Sequence, residues 1–160
     1  MTATAVIVLD GVLRGSGDKM LPAGARLYHG LREVMSVAVV TNEASIESAD
    51  YWLKINGFHK HPYLLSTDPL ALDDADARSL QIQRLRQAGS VIDFVIEPDP
   101  VVALHLLNQG VATLLFTHPR FTNPEHRPDV TATITPWETF VSEIERQESL
   151  KATDERLVTG

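Results

Sequence analysis

The sequence contains no cysteine among its 160 residues, which excludes disulfide bonds, thiolate nucleophiles and thiolate metal sites. It also has no apolar run long enough to span a bilayer, and its first residues lack the basic and apolar stretches of a secretory signal. These absences predict a cytoplasmic protein that does not associate with membranes.

Positive charge is scarce as well. Lysine and arginine number 14 against 21 acidic residues, which gives a formal net charge of −7. Because nucleic-acid affinity comes largely from neutralising phosphates, this balance argues against a nucleic-acid partner. Otherwise the composition is that of an ordinary globular protein, with 44% hydrophobic residues. We expect one domain over residues 1–147 and a fraying polar tail over residues 148–160.

Short apolar, β-branched runs alternate with segments of helical periodicity along the whole chain. The alternation predicts an α/β fold with three α/β/α layers and a mainly parallel, Rossmann-like sheet. One helix is expected over residues 22–34, and three later helices should end at Gly57, Gly89 and Gly110. A last helix should begin at the capping box of residues 135–138. In that last helix Trp137, Phe140, Val141 and Ile144 share a face that should dock on the sheet. The predicted strands are residues 5–9, 36–40, 63–65, 91–96 and 112–116.

Polar residues stand where three of these strands end. The sequence reads Val8-Leu9-Asp10-Gly11-Val12-Leu13 after the first strand, Val40-Thr41-Asn42 after the second, and Ile96-Glu97-Pro98-Asp99 after the fourth. In parallel α/β sheets ligands bind at the carboxyl ends of the strands, so Asp10, Thr41 and Glu97 mark the candidate site.

These three segments resemble the haloacid dehalogenase (HAD) superfamily of phosphatases, over nearly the whole chain. The first strand of that family ends in Asp-x-Asp-Gly-Thr/Val-Leu. A strand ending in Thr or Ser, a lysine, and a strand ending in acidic residues then follow. The segment 11–20 resembles the family's loop and mobile flap, and residues 62–65 with the acidic run after them resemble its small, nearly cap-less members, including phage-encoded ones. A phage origin would place the protein in the host cytoplasm.

The resemblance implies a role for each position. The family's first aspartate attacks phosphorus and binds Mg²⁺, the second exchanges the proton, and the threonine and lysine hold phosphoryl oxygens. Asp10 falls at the second position and Thr41 at the threonine. Val8 falls at the nucleophile, where a hydrocarbon can neither attack nor bind metal.

Further positions depart from the family pattern. No lysine occurs between Lys60 and residue 91, and Arg78 is the nearest basic substitute, although a solvated helix charge is the alternative. Thr41, Asn42 and Arg78 are therefore the candidate substrate-binding residues, with helix capping as the alternative for Thr41. Asp10, Glu97 and Asp99 are the candidate Mg²⁺ ligands, with an N-cap as the alternative for Asp99.

Several alternatives to this assignment remain open in the sequence. The family motif could be shifted by two residues, which would make Asp10 the nucleophile and put Val12 at the acid/base position. Four histidines could form a metal site, although surface positions are the simpler interpretation. The loop over residues 118–129 could contact an anion or a protein, and Trp52 is expected to pack in the core. The histidines concerned are His59, His61, His118 and His126.

Together these observations predict a HAD-like protein with a degenerate active site. Its expected role is the binding of a protein or a phosphorylated small molecule rather than catalysis, with Mg²⁺ bound weakly or not at all. The alternative is a weak or non-standard Mg²⁺-dependent phosphohydrolase that uses Asp10, Glu97 and Asp99.

Overall fold

A computed structural model of the protein describes residues 2–117 and 136–153, and within that part a five-stranded parallel sheet forms the centre of the fold. The strands are β1 (Ala3–Val8), β2 (Ser36–Val40), β3 (Tyr63–Leu65), β4 (Val91–Glu97) and β5 (Thr113–Leu115). Their spatial order is β3-β2-β1-β4-β5, and every pairing is parallel. The predicted α/β class and parallel sheet are confirmed.

Helices connect the strands and cover the sheet. They are α1 (Pro22–Leu31), α2 (Ile46–Ile55), α3 (Asp74–Gln87), α4 (Pro100–Asn108) and α5 (Pro136–Thr153). The chain proceeds from β1 outward to β3, returns through α3 to β4 and continues to β5. With right-handed crossovers, this order places α1 and α2 on one face of the sheet and α3 and α4 on the other. The arrangement is a three-layer α/β/α sandwich.

The central strand β1 is buried on both faces, as its continuous apolar sequence predicts. Residues 5–8 have no solvent exposure, and the residues of β2 that pair with them are almost equally buried. The direction of the crossovers reverses between β1 and β4, which are neighbours in the sheet. Such a switch point leaves a crevice at the carboxyl ends of the strands.

Two helices differ in length from the prediction. The predicted helix 22–34 ends at Leu31, because the chain turns there to enter β2 and leaves Val34 81% exposed. The helix α5 continues to Thr153, and residues 154–160 lie outside the described residues. Phe140 of α5 packs with Leu104 of α4 and against Leu115 of β5, so this part of the predicted apolar face does contact α4 and the sheet edge.

Among residues 2–117 and 136–153, no helix combines the length and the apolar character needed to cross a membrane.

Candidate functional site

The carboxyl ends of β1, β2 and β4 bring together the polar residues that the sequence singled out. Val8 pairs with Val40, and Ile7 with Ile96, so Val8 lies level with the ends of both neighbouring strands. Thr41 and Glu97 are buried at these ends, and Asp10 lies in the turn just after β1.

The backbone after β1 folds into a wide turn that fixes the position of Asp10. The amide of Arg14 donates to the carbonyl of Leu9 at 2.9 Å, which closes a wide turn over five residues. Gly11 has a φ of 98°, a left-handed conformation that glycine adopts without a Cβ clash. Beyond the turn, Arg14 and Met20 form an antiparallel bridge, so residues 14–20 make a short hairpin beside the site.

Both carboxylate oxygens of Asp10 accept hydrogen bonds. Arg14 Nη2 donates to Oδ1 at 2.5 Å. Thr41 Oγ1 donates to Oδ2 at 2.7 Å, and the amide of Asn42 donates to the same oxygen at 3.2 Å. The Asp10 carboxylate therefore links the turn after β1 to the end of β2.

Thr41 does not cap the helix that follows it. Its Oγ1 accepts from the amide of Glu43 at 3.1 Å while it donates to Asp10. The N-cap of α2 is Ser45, whose hydroxyl accepts from the amide of Ser48. The capping alternative for Thr41 is wrong, because Ser45 directly precedes the helix and Thr41 lies several residues before it.

Arg14 is a member of the site that the sequence did not indicate. Its guanidinium lies between two carboxylates, with Nη2 donating to Asp10 and, at 2.6 Å, to Glu43 Oε1. It also lies 5.5 Å from the centre of the Trp52 ring, a cation–π distance. Although burial lowers the pKa of Arg14, the hydrogen bonds and charges of the two acids outweigh it and raise the pKa.

Glu43 is the acidic partner that accompanies Arg14. Its Oε1 accepts from Arg14, whereas its Oε2 is buried and has no hydrogen-bond partner among the described residues. A buried acceptor without a donor carries a desolvation cost. This oxygen is therefore a point where a ligand could donate a hydrogen bond.

Arg78 lies on α3 and is fully buried, so the expectation of a solvated helix charge is wrong. Its Nε donates to Glu97 Oε2 at 2.8 Å, and its Nη2 donates to Asn42 Oδ1 at 2.8 Å. Because Glu97 ends β4 and Asn42 follows β2, the guanidinium joins the two strands that flank β1. A basic side chain is thus buried at this edge of the sheet.

Gln81, one turn further along α3, completes this connection. It accepts from Arg78 Nη1 at 2.5 Å and donates to the carbonyls of Thr41 and Ser66, each at 2.9 Å. Arg78 and Gln81 share a face of α3 with the core residues Ile82 and Leu85. That spacing is the sequence signal that could have indicated an inward-facing Arg78.

Glu97 and Asp99 have separate roles in the structure. Burial raises the pKa of the Glu97 carboxyl, while the charge and hydrogen bond of Arg78 act in the opposite direction. The amide of Asp99 donates to Glu97 Oε1 at 3.1 Å. The Asp99 carboxylate accepts from the amides of Val101 and Val102, which confirms the N-cap interpretation.

The three predicted metal ligands do not form a free oxygen cluster. Asp10 is bound by Arg14, Glu97 by Arg78, and Asp99 by the backbone of α4. Within the described part of the chain, no three His, Asp or Glu side chains are grouped so that they could hold a metal ion. Mg²⁺ requires several oxygen ligands at short distance. The residues present at these positions therefore do not fit Mg²⁺ as they are arranged.

The histidine candidates lie away from this network or outside the described residues, whereas Trp52 borders the network through Arg14. His61 Nδ1 hydrogen-bonds to the buried Tyr28 hydroxyl at 2.7 Å, and Trp52 packs in the core as predicted, stacked on Phe58. His118, His126 and the loop 118–129 lie outside the described residues, as do Thr135 and the side chain of Trp137.

No protein-family model matches the sequence, and a search of curated proteins finds no match either.

Proposed function

We propose that this chain is a HAD-like protein that binds a ligand or a protein partner at the carboxyl edge of its sheet without catalysing phosphoryl transfer. The resemblance of the three strand-end segments supports the family. The parallel sheet with β1 at its centre, and the turn and hairpin after β1, are compatible with it. The phage origin and the host cytoplasm rest on the resemblance alone.

The observation that carries the proposal is the side chain at the end of β1. Val8 is the last residue of the strand and has no solvent exposure. A phosphatase of this family would need a carboxylate there to form the bond to phosphorus. Asp10 lies two residues further on, in the turn, and both its oxygens already accept hydrogen bonds. This position favours the acid/base register for Asp10 over the shifted one.

The charges around Val8 support a site that works without Mg²⁺. Arg14 forms ion pairs with Asp10 and Glu43, and Arg78 with Glu97, so two positive charges balance all but one of the three negative charges. A divalent cation at this edge would face two guanidinium groups that are already hydrogen-bonded to its prospective ligands. We therefore expect millimolar Mg²⁺ to leave the thermal unfolding temperature unchanged, because a ligand of the native state would raise it.

The ligand is constrained by what the site offers. Glu43 Oε2 lacks a donor among the described residues, so a ligand or partner that presents an N–H or O–H group suits it. A phosphorylated small molecule remains a candidate through Thr41, Asn42 and Arg78. Their polar groups already bind other residues, however, and would have to exchange partners. The net charge of −7 disfavours a nucleic acid.

A phosphatase assay with p-nitrophenyl phosphate and MgCl₂ tests the proposal. We expect no turnover by the wild type above a buffer blank. Val8→Asp would restore the missing carboxylate, and Val8→Asn is its matched control, since it introduces a similar polar group without a nucleophile. A gain in Val8→Asp that is absent from Val8→Asn would support the proposed register.

Turnover by the wild type contradicts the proposal, whether or not the Val8 variants fold. If it hydrolyses the substrate and Asp10→Asn abolishes that turnover, the protein is the alternative Mg²⁺-dependent phosphohydrolase. Circular dichroism establishes that each variant retains its fold before its activity is compared.

A further inference from the structure

A second polar site lies at the opposite edge of the sheet, where β2 begins. A cleft of about 390 Å³ opens there between the end of α1, the start of β2 and the segment before β3. This volume lies within the ~300–1,000 Å³ range of small-molecule pockets. The residues that line it are Arg32, Glu33, Met35, Ser36, Val37, Lys60 and Pro62.

The cleft is separate from the candidate site described above. Ser36 is the first residue of β2, whereas Thr41 follows the last one. Five residues of extended strand separate the two positions, or about 16 Å at 3.3 Å per residue. A ligand in the cleft would therefore bind independently of the network around Asp10.

Arg32 gives the cleft an unfilled hydrogen-bonding position. Its side chain is only 21% exposed, and its Nε is buried without a hydrogen-bond partner among the described residues. Its Nη2 reaches Glu33 Oε1 at 3.3 Å, a long contact to a side chain that is 70% exposed. Nε and Nη2 lie on the same edge of a guanidinium. That edge matches two oxygens of one phosphate or carboxylate, and Glu33 engages it only weakly.

Lys60 supplies a second positive charge at the same cleft. Its backbone amide donates to the Tyr28 hydroxyl at 3.0 Å, which fixes this segment beside α1. Its side chain is exposed, and no hydrogen bond or ion pair of its ammonium group is found among the described residues. Two cations and one acid thus line a cleft in a protein of net charge −7.

We propose that this cleft binds a small anionic molecule, whose phosphate or carboxylate group is held by the Nε–Nη2 edge of Arg32 and by the ammonium group of Lys60. The anion takes the place of the Glu33 carboxylate on Arg32. Met35 and Pro62 also line the cleft and offer apolar contact to the body of a ligand. A buried guanidinium nitrogen without an acceptor is costly, and binding of the anion removes that cost.

Isothermal titration calorimetry with inorganic phosphate and with benzoate, in a buffer free of both, tests this proposal. We expect saturable binding of at least one of the two anions to the wild type. Phosphate binding alone would identify a phosphoryl ligand, and benzoate binding alone a carboxylate attached to an apolar group. Absence of binding by both anions would overturn the proposal.

Four variants locate the binding. Arg32→Gln should weaken it at least about tenfold, the usual effect of losing a hydrogen bond to a charged group. Lys60→Gln should weaken it less, and Glu33→Gln should strengthen it by removing the competing carboxylate. Arg26→Gln is the matched control, because Arg26 is an exposed arginine on α1 that does not line the cleft.

The same titrations distinguish anion binding in the cleft from anion binding near Asp10. Equal anion affinity in the wild type and Arg32→Gln would overturn the proposal. Loss of anion binding in Arg14→Gln, with binding retained in Arg32→Gln, would also overturn it, because the anion would then bind near Asp10. If Arg32→Gln fails to fold, the opposite effects expected of Lys60→Gln and Glu33→Gln still decide the question, because identical affinities in these two variants contradict it.

Discussion

Replacement of Arg78 by methionine should destabilise the protein far more than the loss of any surface charge. The change keeps an unbranched apolar stem but removes the guanidinium group and its three hydrogen bonds, to Glu97, Gln81 and Asn42. Glu97 would be left ionised with its side chain 2% exposed. Breaking a buried ion pair in this way costs about 3–5 kcal/mol. The buried Gln81 oxygen would add about 1–3 kcal/mol, and with incomplete additivity we expect about 4–6 kcal/mol in total.

Urea unfolding followed by circular dichroism measures this cost, provided that the slope with denaturant stays constant. The matched control is Lys54→Met, which breaks an exposed helix pair with Asp50 and should cost less than about 0.5 kcal/mol. The double variant Arg78→Met with Glu97→Gln should recover much of the loss, because no buried charge remains. A cost for Arg78→Met as small as that of the control would refute the reasoning.

The cost should also depend on pH in a defined direction. Burial already raises the pKa of Glu97, and Arg78 holds it down, so loss of Arg78 raises the pKa further. The folded variant then retains its proton to higher pH than the wild type, and its stability falls as the pH rises through that pKa. The difference between wild type and variant should therefore be smaller at pH 5 than at pH 8. A difference independent of pH would contradict this account.

Two further predictions concern other parts of the fold. A Cβ at Gly24 would lie 1.6 Å from the backbone oxygen of Val12, so Gly24→Ala should destabilise the protein by about 3 kcal/mol or more. Gly30 lies on the same helix, but a Cβ there meets no atom, so Gly30→Ala should stabilise the protein by about 0.5–1 kcal/mol. Urea unfolding measures both changes. Burial lowers the pKa of His61 beside Tyr28, so the unfolded chain binds the proton more readily than the folded one. The free energy of unfolding should therefore fall as the pH drops below about 6.5. His61→Gln should make this fall with pH less steep, and an unchanged pH dependence would contradict the role given to His61.

The sequence predicted the fold well because its strands are short, continuous apolar runs with clear ends. The limits of β2 and β3 agree with the prediction, and β1, β4 and β5 differ at their ends by one or two residues. The predicted helix over residues 22–34 was too long because hydrophobic spacing alone continued to Val34. Only the need to enter β2 at Ser36 ends the helix earlier, and that is a constraint of the tertiary structure.

The site was predictable in position but not in its contacts. Strand ends converge in any parallel sheet, so Asp10, Thr41 and Glu97 could be placed at one edge from the pattern alone. The partners of these residues come from distant parts of the chain: Arg14 binds Glu43 29 positions away, and Arg78 binds Glu97 19 positions away. No periodicity links such pairs, and a charged residue on a helix is usually solvated.

The hydrocarbon at position 8 and the two arginines are physically consistent with one another. A carboxylate at the end of β1 would add a negative charge to an edge that already holds Asp10, Glu43 and Glu97, and a metal ion would be the natural way to neutralise them. Here the neutralising charges are guanidinium groups, held at 2.5–2.8 Å from their carboxylates. With both arginines in place, a metal ion would have to displace guanidinium groups from the carboxylates, and without a metal ion a buried carboxylate at position 8 would be costly. Under the proposed function, Val8 and the ion pairs of the two arginines therefore belong to a single arrangement. It follows that Val8→Asp should raise the affinity for Mg²⁺ most strongly when Arg14 is also replaced.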